Sequence, residues 1–232
     1  MSTLFSQILI WYTDITCFMK TPSTQKLRAR VRKIQKILDK MFPNATTALR
    51  FKNPFQLLVA TMLSAQCTDT LVNRITETLF KKYKTPGDFA NAKPLQLQKD
   101  IYPVTFYRNK AKSLKAASRI LLGKFRGKVP KEMEELLVLP GVARKTANVV
   151  LGHAYKIPSG IVVDTHVKRV ARRLGLTKNI DPKKIEQDLM KIVPRKNWIK
   201  FSDQLIWFGR KICTARTNKC GETEMAKYCL DL

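Results

Sequence analysis

Lys145 and Asp164 are the residues of this chain whose types and settings best suit them to chemistry. Both fall in one stretch, LPGVARKTANVVLGHAYKIPSGIVVDTH, residues 139–166. Lys145 lies just inside a helical pattern that opens after a Pro-Gly turn. The positive end of that helix and neighbouring Arg144 both work against an ammonium there. A free lysine amine is a nucleophile for Schiff-base formation. Asp164 stands at the start of the next helical pattern, where a carboxylate can take or steer a proton and stabilise developing positive charge. Each residue also has an ordinary explanation. Most helix lysines are solvated surface charges, and aspartate is a common helix N-cap. His166 reads as structural support for its neighbours rather than as a base.

The turn before Lys145 adds a binding function. Leu139-Pro140-Gly141-Val142-Ala143 separates two short helical patterns. Gly141 can take the positive φ of a tight hairpin. The amides that follow open a helix N-terminus, which favours an anion such as phosphate. Such contacts position a nucleic acid without reading its sequence. Taken alone, the same five residues fit an ordinary helix–helix turn.

Charge points the same way. Forty-four Lys and Arg stand against 17 Asp and Glu, a net charge of +27 in 232 residues. A surplus that large favours a polyanionic partner and draws it from a distance. Nucleic acid comes first, an anionic membrane surface second. No apolar run approaches the roughly 20 residues of a membrane span. Residues 1–25 read as an extension, with Met19 an alternative start. Their apolar stretch lacks the basic first region and cleavage site of a secretory signal. Five cysteines, an odd number, argue against a disulfide framework and for a reducing compartment. A cytoplasmic protein associated with the nucleoid is the expectation.

The elements that must position these residues are helical. Residues 24–41 carry an apolar stripe with a basic opposite face. Asn53-Pro54 caps a helix whose sequence, FQLLVATMLSA, is apolar nearly all round and so belongs in the interior. Asp69 is expected to cap the next helix, and Thr85-Pro86 to break it. Helices are expected near 94–101 and over 106–125, 132–138 and 144–154. Asp164 and Asp181-Pro182 start two more. Gly175 and Pro194 end these, and Trp198–Arg210 is the last long one. No alternating run long enough for a sheet is present, so the fold class is all-α, with about ten helices on short loops.

At this point the residues carry a resemblance. LPGVARKTANVVLGHAYKIPSGIVVDTHVKRVARRLGLT resembles the helix–hairpin–helix and Gly/Pro-Asp signature of the endonuclease III family. That family comprises DNA glycosylases with an associated abasic-site lyase activity. NPFQLLVATMLSAQCTD and FYRNKAK resemble further family segments, so the similarity runs from about residue 26 to the C-terminus. It implies that Lys145 is the Schiff-base lysine and Asp164 the catalytic aspartate. It implies two helical domains with a DNA-binding cleft between them. One is a six-helix barrel over 47–157 containing the hairpin. The other pairs 26–46 with 158–232 and ends in a cysteine loop. Gln66 and Phe106 take the positions that fill the hole left by a flipped base. The DNA-binding set is Gln66, Phe106, Gly141, Val142, Ala143, Arg144, Thr165 and His166. The partner is double-stranded DNA with damaged bases or abasic sites, bound by a monomer. Oxidised pyrimidines as the substrate class come from the resemblance alone.

Three positions depart from the family pattern. Ala143 stands where the hairpin usually has a second glycine, and a helical φ is expected there. Thr105 stands where glycine is common before the wedge aromatic, so that loop depends on how Thr105 is accommodated. The family's C-x6-C-x2-C-x5-C pattern holds a 4Fe–4S cluster. Here it supplies Cys213, Cys220 and Cys229, with Thr223 in third place. Cluster iron prefers thiolate. Three outcomes follow: a cluster on three cysteines, a labile cluster, or a metal-free loop with three thiols. Two rival functions stay open. One is a monofunctional glycosylase for mismatched or deaminated bases, which the lysine disfavours. The other is a non-catalytic protein that binds DNA through hairpin and charge alone.

Overall fold

The computed structural model describes residues 23–230. Residues 1–22 of the expected extension, with Cys17 and Met19, lie outside the described residues. Eleven α-helices follow in order among the described residues: α1 (Thr24–Met41), α2 (Pro54–Ser64), α3 (Asp69–Lys82), α4 (Pro86–Asn91), α5 (Pro94–Ile101), α6 (Tyr107–Phe125), α7 (Met133–Leu137), α8 (Arg144–Tyr155), α9 (Thr165–Arg173), α10 (Pro182–Ile192) and α11 (Trp198–Lys211). Extended pairing among them is limited to an isolated bridge between Cys213 and Asn218. None of these helices is long and apolar enough to cross a membrane.

Local chemistry explains most boundaries. Asn53 Oδ1 accepts from the Gln56 amide at 2.9 Å, and Pro54 opens α2 where no amide hydrogen is needed. Asp181 caps α10 in the same way, accepting from Lys184 N at 3.0 Å. The cap of α3 is Thr68, whose hydroxyl accepts from Leu71 N at 3.3 Å, and not Asp69 as expected. Asp69 is already helical, and its carboxylate is engaged by Arg210 at 2.6 Å. The short α4 was not foreseen. A reciprocal box builds it: Thr85 N donates to Asp88 Oδ2 at 2.8 Å, and Asp88 N donates to Thr85 Oγ1 at 3.2 Å. Six residues give too little periodicity to reveal such a helix.

Two apolar cores form. The first gathers side chains from α2 through α8, among them Leu57, Leu63, Val72, Phe89, Leu97, Leu114, Leu136 and Val150. The apolar circumference of α2 is explained there, since Phe55 and every residue from Leu57 to Leu63 are buried. The second core joins α1 to the rest of the chain after α8. Val31, Ile34 and Leu38 meet Ile161, Val167, Val170, Leu189, Phe201 and Phe208. Burying a side chain such as Leu or Phe contributes roughly 1.5–3 kcal/mol, so each core holds its helices firmly.

Polar contacts tie α8, in the first core, to α10, in the second. Glu186 is only 6 % exposed. Its carboxylate accepts from Arg144 Nε at 2.9 Å, Arg144 Nη2 at 3.1 Å and Asn148 Nδ2 at 2.8 Å. Ser159 Oγ donates to Asn148 Oδ1 at 2.9 Å. The chain passes this knot at Gly160, where a Cβ would run into the Glu186 carboxylate and lie 2.7 Å from Asn148 Nδ2. Gly160→Ala is expected to destabilise the protein by about 3 kcal/mol, roughly 6–12 °C in Tm. Gly123→Ala is the control: nothing lies within 4 Å of its added Cβ, in the last turn of α6. That change should stabilise by roughly 0.5–1 kcal/mol. Thermal denaturation followed by circular dichroism checks both.

Candidate active site

A cavity of about 460 Å³ opens where the two cores meet. Lys145 reaches it from the first turn of α8, and Asp164 from the start of α9. Gln66, Thr165 and His166 line it too. Asp164 is held as a helix cap, its Oδ1 accepting from Val167 N at 2.8 Å. Cap geometry therefore fixes the carboxylate beside the cavity. His166 Nδ1 lies 3.2 Å from Arg169 Nη2, which also donates to the carbonyl of Gly209. Phe106, Gly141, Val142, Ala143 and Arg144 are not part of the lining.

The cavity has residues that sequence reasoning missed. Thr46–Leu49, Cys67, Asp69, His153, Asp203, Trp207 and Arg210 are among those that form its wall. Trp207 Nε1 donates to the carbonyl of Thr46 at 2.9 Å, and Arg210 Nη2 to Asp69 Oδ2 at 2.6 Å. His153 Nε2 lies 3.3 Å from Asp203 Oδ1, and both side chains are nearly buried. These contacts join segments far apart in sequence, so no local pattern could flag them.

The hairpin lies between α7 and α8. Gly141 has φ +82°, and an added Cβ would meet Ser113 Cβ at 2.9 Å. Only glycine suits both the angle and the space. Val142 is buried, and its amide donates to Leu139 O at 3.0 Å. Ala143 is extended, with φ −98° and ψ 169°, which corrects the helical φ expected of it. It is the N-cap residue of α8, and an N-cap has non-helical angles. Its φ is negative, so alanine fits without strain. Ala143 offers no side-chain cap, and the first amides of a helix have no partner within it. Arg144 is held by Glu186 through two hydrogen bonds rather than free beside Lys145.

Gln66 and Phe106 stand on neighbouring loops, both exposed. Both adopt left-handed backbone angles, φ 56° and 57°. For a residue with a side chain this conformation costs roughly 1–2 kcal/mol, so the surroundings must impose it. Lys110 Nζ closes the end of α2, donating to Leu63 O at 2.7 Å and Ala65 O at 2.5 Å. Burial pushes its ammonium below the usual lysine range, with Cys67 pulling the other way.

The C-terminal loop places Cys220 beside Cys213 and Cys229. Burial and those two sulfurs push the Cys220 thiol far above its ordinary range. Cys213 Sγ accepts from Arg173 Nη1 at 3.3 Å, and Cys229 Sγ from Asn218 Nδ2 at 3.6 Å. Thr223 Oγ1 donates to Cys220 O at 2.9 Å and accepts from Met225 N at 3.2 Å. Its hydroxyl is thus committed to the loop's own backbone. The three thiols are neighbours, yet among the described residues no group of three or more His, Cys, Asp or Glu is arranged to hold a metal ion. This donor set does not fit a four-thiolate cluster.

Comparison with known proteins agrees with the fold. Residues 59–195 match the model of the HhH-GPD superfamily of base excision DNA repair proteins. The chain belongs to that superfamily. The protein called endonuclease III in Synechocystis sp. is 50% identical over 202 residues, 87% of this chain and 92% of the relative. The Bacillus subtilis protein of the same name is 45% identical over 203 residues, 86% and 92% of the two chains. A solved endonuclease III trapped in covalent linkage to DNA superposes with a TM-score of 0.84 at 42% identity, over 88% of this chain and 95% of that one. Within the superfamily the chain is a member of the endonuclease III family, DNA glycosylases with abasic-site lyase activity. A thermostable thymine-DNA glycosylase shares the fold at 24% identity, TM-score 0.78, over 90% of this chain and 98% of that one.

Burial raises the Asp203 carboxyl above the usual carboxylate range, against the opposing pull of His153 and Lys156. A group whose folded pKa is raised holds its proton more tightly in the native state. Its contribution is therefore favourable at low pH and lost as pH rises from the unfolded value, about 3.9, through the folded one. Wild type should lose stability across that window relative to Asp203→Asn, which does not titrate. Denaturant unfolding at a series of pH values measures the difference, and parallel curves would refute it.

Proposed function

We propose that the chain removes oxidised pyrimidines from duplex DNA and then cuts the strand, with Lys145 as nucleophile and Asp164 as its charged partner. One observation carries this reading: a lysine from one core and a capped aspartate from the other line a single cavity. A base within a duplex is out of reach, so it must first be flipped, at a cost of a few kcal/mol. Gln66 and Phe106 fill the space left behind. The amide hydrogen-bonds the orphaned partner base, and the ring replaces lost stacking. The uncapped amides of α8, with Gly141, Val142 and Ala143, hold the phosphate backbone. Arg144, Thr165 and His166 border that contact. A single copy of the chain binds the damaged duplex.

The chemistry follows. The Lys145 amine attacks C1′ of the sugar as the C1′–N bond breaks, its electron pair leaving with the base, which takes up a proton. Asp164 stabilises positive charge at the sugar and accepts the proton that the attacking amine sheds. The ring opens to an imine between Lys145 and C1′. Loss of a C2′ proton then expels the 3′ phosphate oxygen with the C3′–O electron pair. Water releases the sugar fragment and restores the lysine.

Borohydride reduction of the imine gives the test. Wild type should form a covalent adduct with duplex carrying an oxidised pyrimidine or an abasic site, and Lys145→Ala none. Asp164→Asn keeps the cap, because asparagine caps as well as aspartate. It should slow base release by roughly 10²- to 10⁴-fold. An absent wild-type adduct with base release intact would indicate a monofunctional glycosylase. No base release from any damaged duplex would indicate a binding protein only.

For the cysteine loop we propose that Thr223 limits iron binding. Thr223→Cys supplies the missing thiolate and should raise the iron bound per chain above wild type, with stronger visible absorbance. Equal iron in both proteins would show that the fourth thiolate is not what limits the site.

A further inference from the structure

Gln66 and Phe106 belong to loops 40 positions apart in the chain, yet a polar staple joins them. Thr105, next to Phe106, donates its hydroxyl to the carbonyl of Gln66 at 3.1 Å. Its amide donates to Cys67 Sγ, next to Gln66, at 3.2 Å. Cys67 Sγ donates back to Thr105 Oγ1 at 3.4 Å. Lys110 closes the ring: its Nζ holds Leu63 O and Ala65 O, lies 3.8 Å from Cys67 Sγ, and its own amide donates to Phe106 O at 3.0 Å. Phe106 is 58 % exposed and Gln66 is exposed, so burial of these side chains does not hold the two left-handed turns. Polar contacts from their immediate neighbours do.

We infer that Thr105, with Cys67 and Lys110, is a positioning unit that sets Gln66 and Phe106 in their inserting conformation before DNA arrives. The inference rests on the proposed role of Gln66 and Phe106 in the duplex. Ordering two exposed side chains on separate loops during binding would weaken insertion, and ordering them during folding avoids that loss. Threonine suits the task twice. Its hydroxyl reaches the facing loop, and its β-branch limits χ1, so the hydroxyl stays aimed. The unit touches no substrate in this scheme and acts only through its two neighbours.

The test compares Thr105→Val, which keeps the shape and loses the hydroxyl, with Thr105→Ser, which keeps the hydroxyl. Fluorescence of 2-aminopurine beside the lesion reports base extrusion, and single-turnover kinetics separate half-saturation from the maximal rate. Thr105→Val should slow extrusion by roughly 3- to 10-fold, the worth of one hydrogen bond. Thr105→Ser should return it to within about twofold of wild type, less than one such bond. Thermal midpoints of the two variants should agree, since residue 105 is exposed. Extrusion by Thr105→Val at the wild-type rate, or failure of serine to restore it, would overturn the inference. Phe106→Ala and Gln66→Ala separate the two ideas. If they leave extrusion unchanged, the insertion role fails and the staple's purpose with it. If they abolish extrusion while Thr105→Val matches wild type, the staple alone fails.

Discussion

The buried carboxylate of Glu186 is the interaction on which the rest of the site depends. It sits on α10 of the second core and grips α8 of the first through Arg144 and Asn148. Lys145 is next to Arg144 on that helix, and Asp164 begins α9 in the second core. The relative position of amine and carboxylate is thus set by how α8 docks across the boundary. An uncompensated buried charge costs several kcal/mol, and breaking such a pair is costlier than never having formed it. Any shift of α8 that parted Arg144 or Asn148 from Glu186 would meet that penalty. The penalty makes the docking stiff without requiring apolar contact at the boundary.

Three further links across the boundary are polar as well. His153 meets Asp203, Arg210 meets Asp69, and Trp207 meets the carbonyl of Thr46. All of these residues line the cavity or adjoin it. The wall is mixed: Leu49 reaches it from the first core, and polar side chains make up much of the rest. Hydrogen bonds let the wall be rigid and wettable together. Each core is stabilised on its own by apolar burial, and the seam between them is specified by directional contacts.

This division explains what could be read in the sequence. Asn53, Asp164 and Asp181 act within three residues of themselves, so their caps were legible from local pattern. The apolar run of α2 announced its burial for the same reason. Thr68 displaced Asp69 as the cap of α3 because Arg210, 141 positions away, claims the Asp69 carboxylate. Arg144 was expected to work against the Lys145 ammonium, and the long-range claim of Glu186 on its guanidinium had no local signal. Ala143 was misjudged locally: helix α8 starts at Arg144 as expected, and the N-cap residue before it needs extended rather than helical angles. The cavity wall was invisible because its members meet only after both cores form.

The acidic residues show why so large a positive charge coexists with a stable fold. Asp88, Asp164 and Asp181 satisfy helix amides. Asp100 is held by Lys82, Tyr83 and Gln96, and Asp188 by Thr177 and Asn179. Asp39 is held by Lys200, Gln35 and Gln204, and Asp203 and Glu186 span the seam. Only 17 acidic side chains exist, and these eight serve caps, networks and the seam. Forty-four cations cannot be matched by them, so most of the basic surplus faces solvent. Self-repulsion within that surplus disfavours the compact state. A polyanion laid along the surface relieves it and releases its own counterions in doing so. The same imbalance that strains the free protein therefore favours the DNA-bound one.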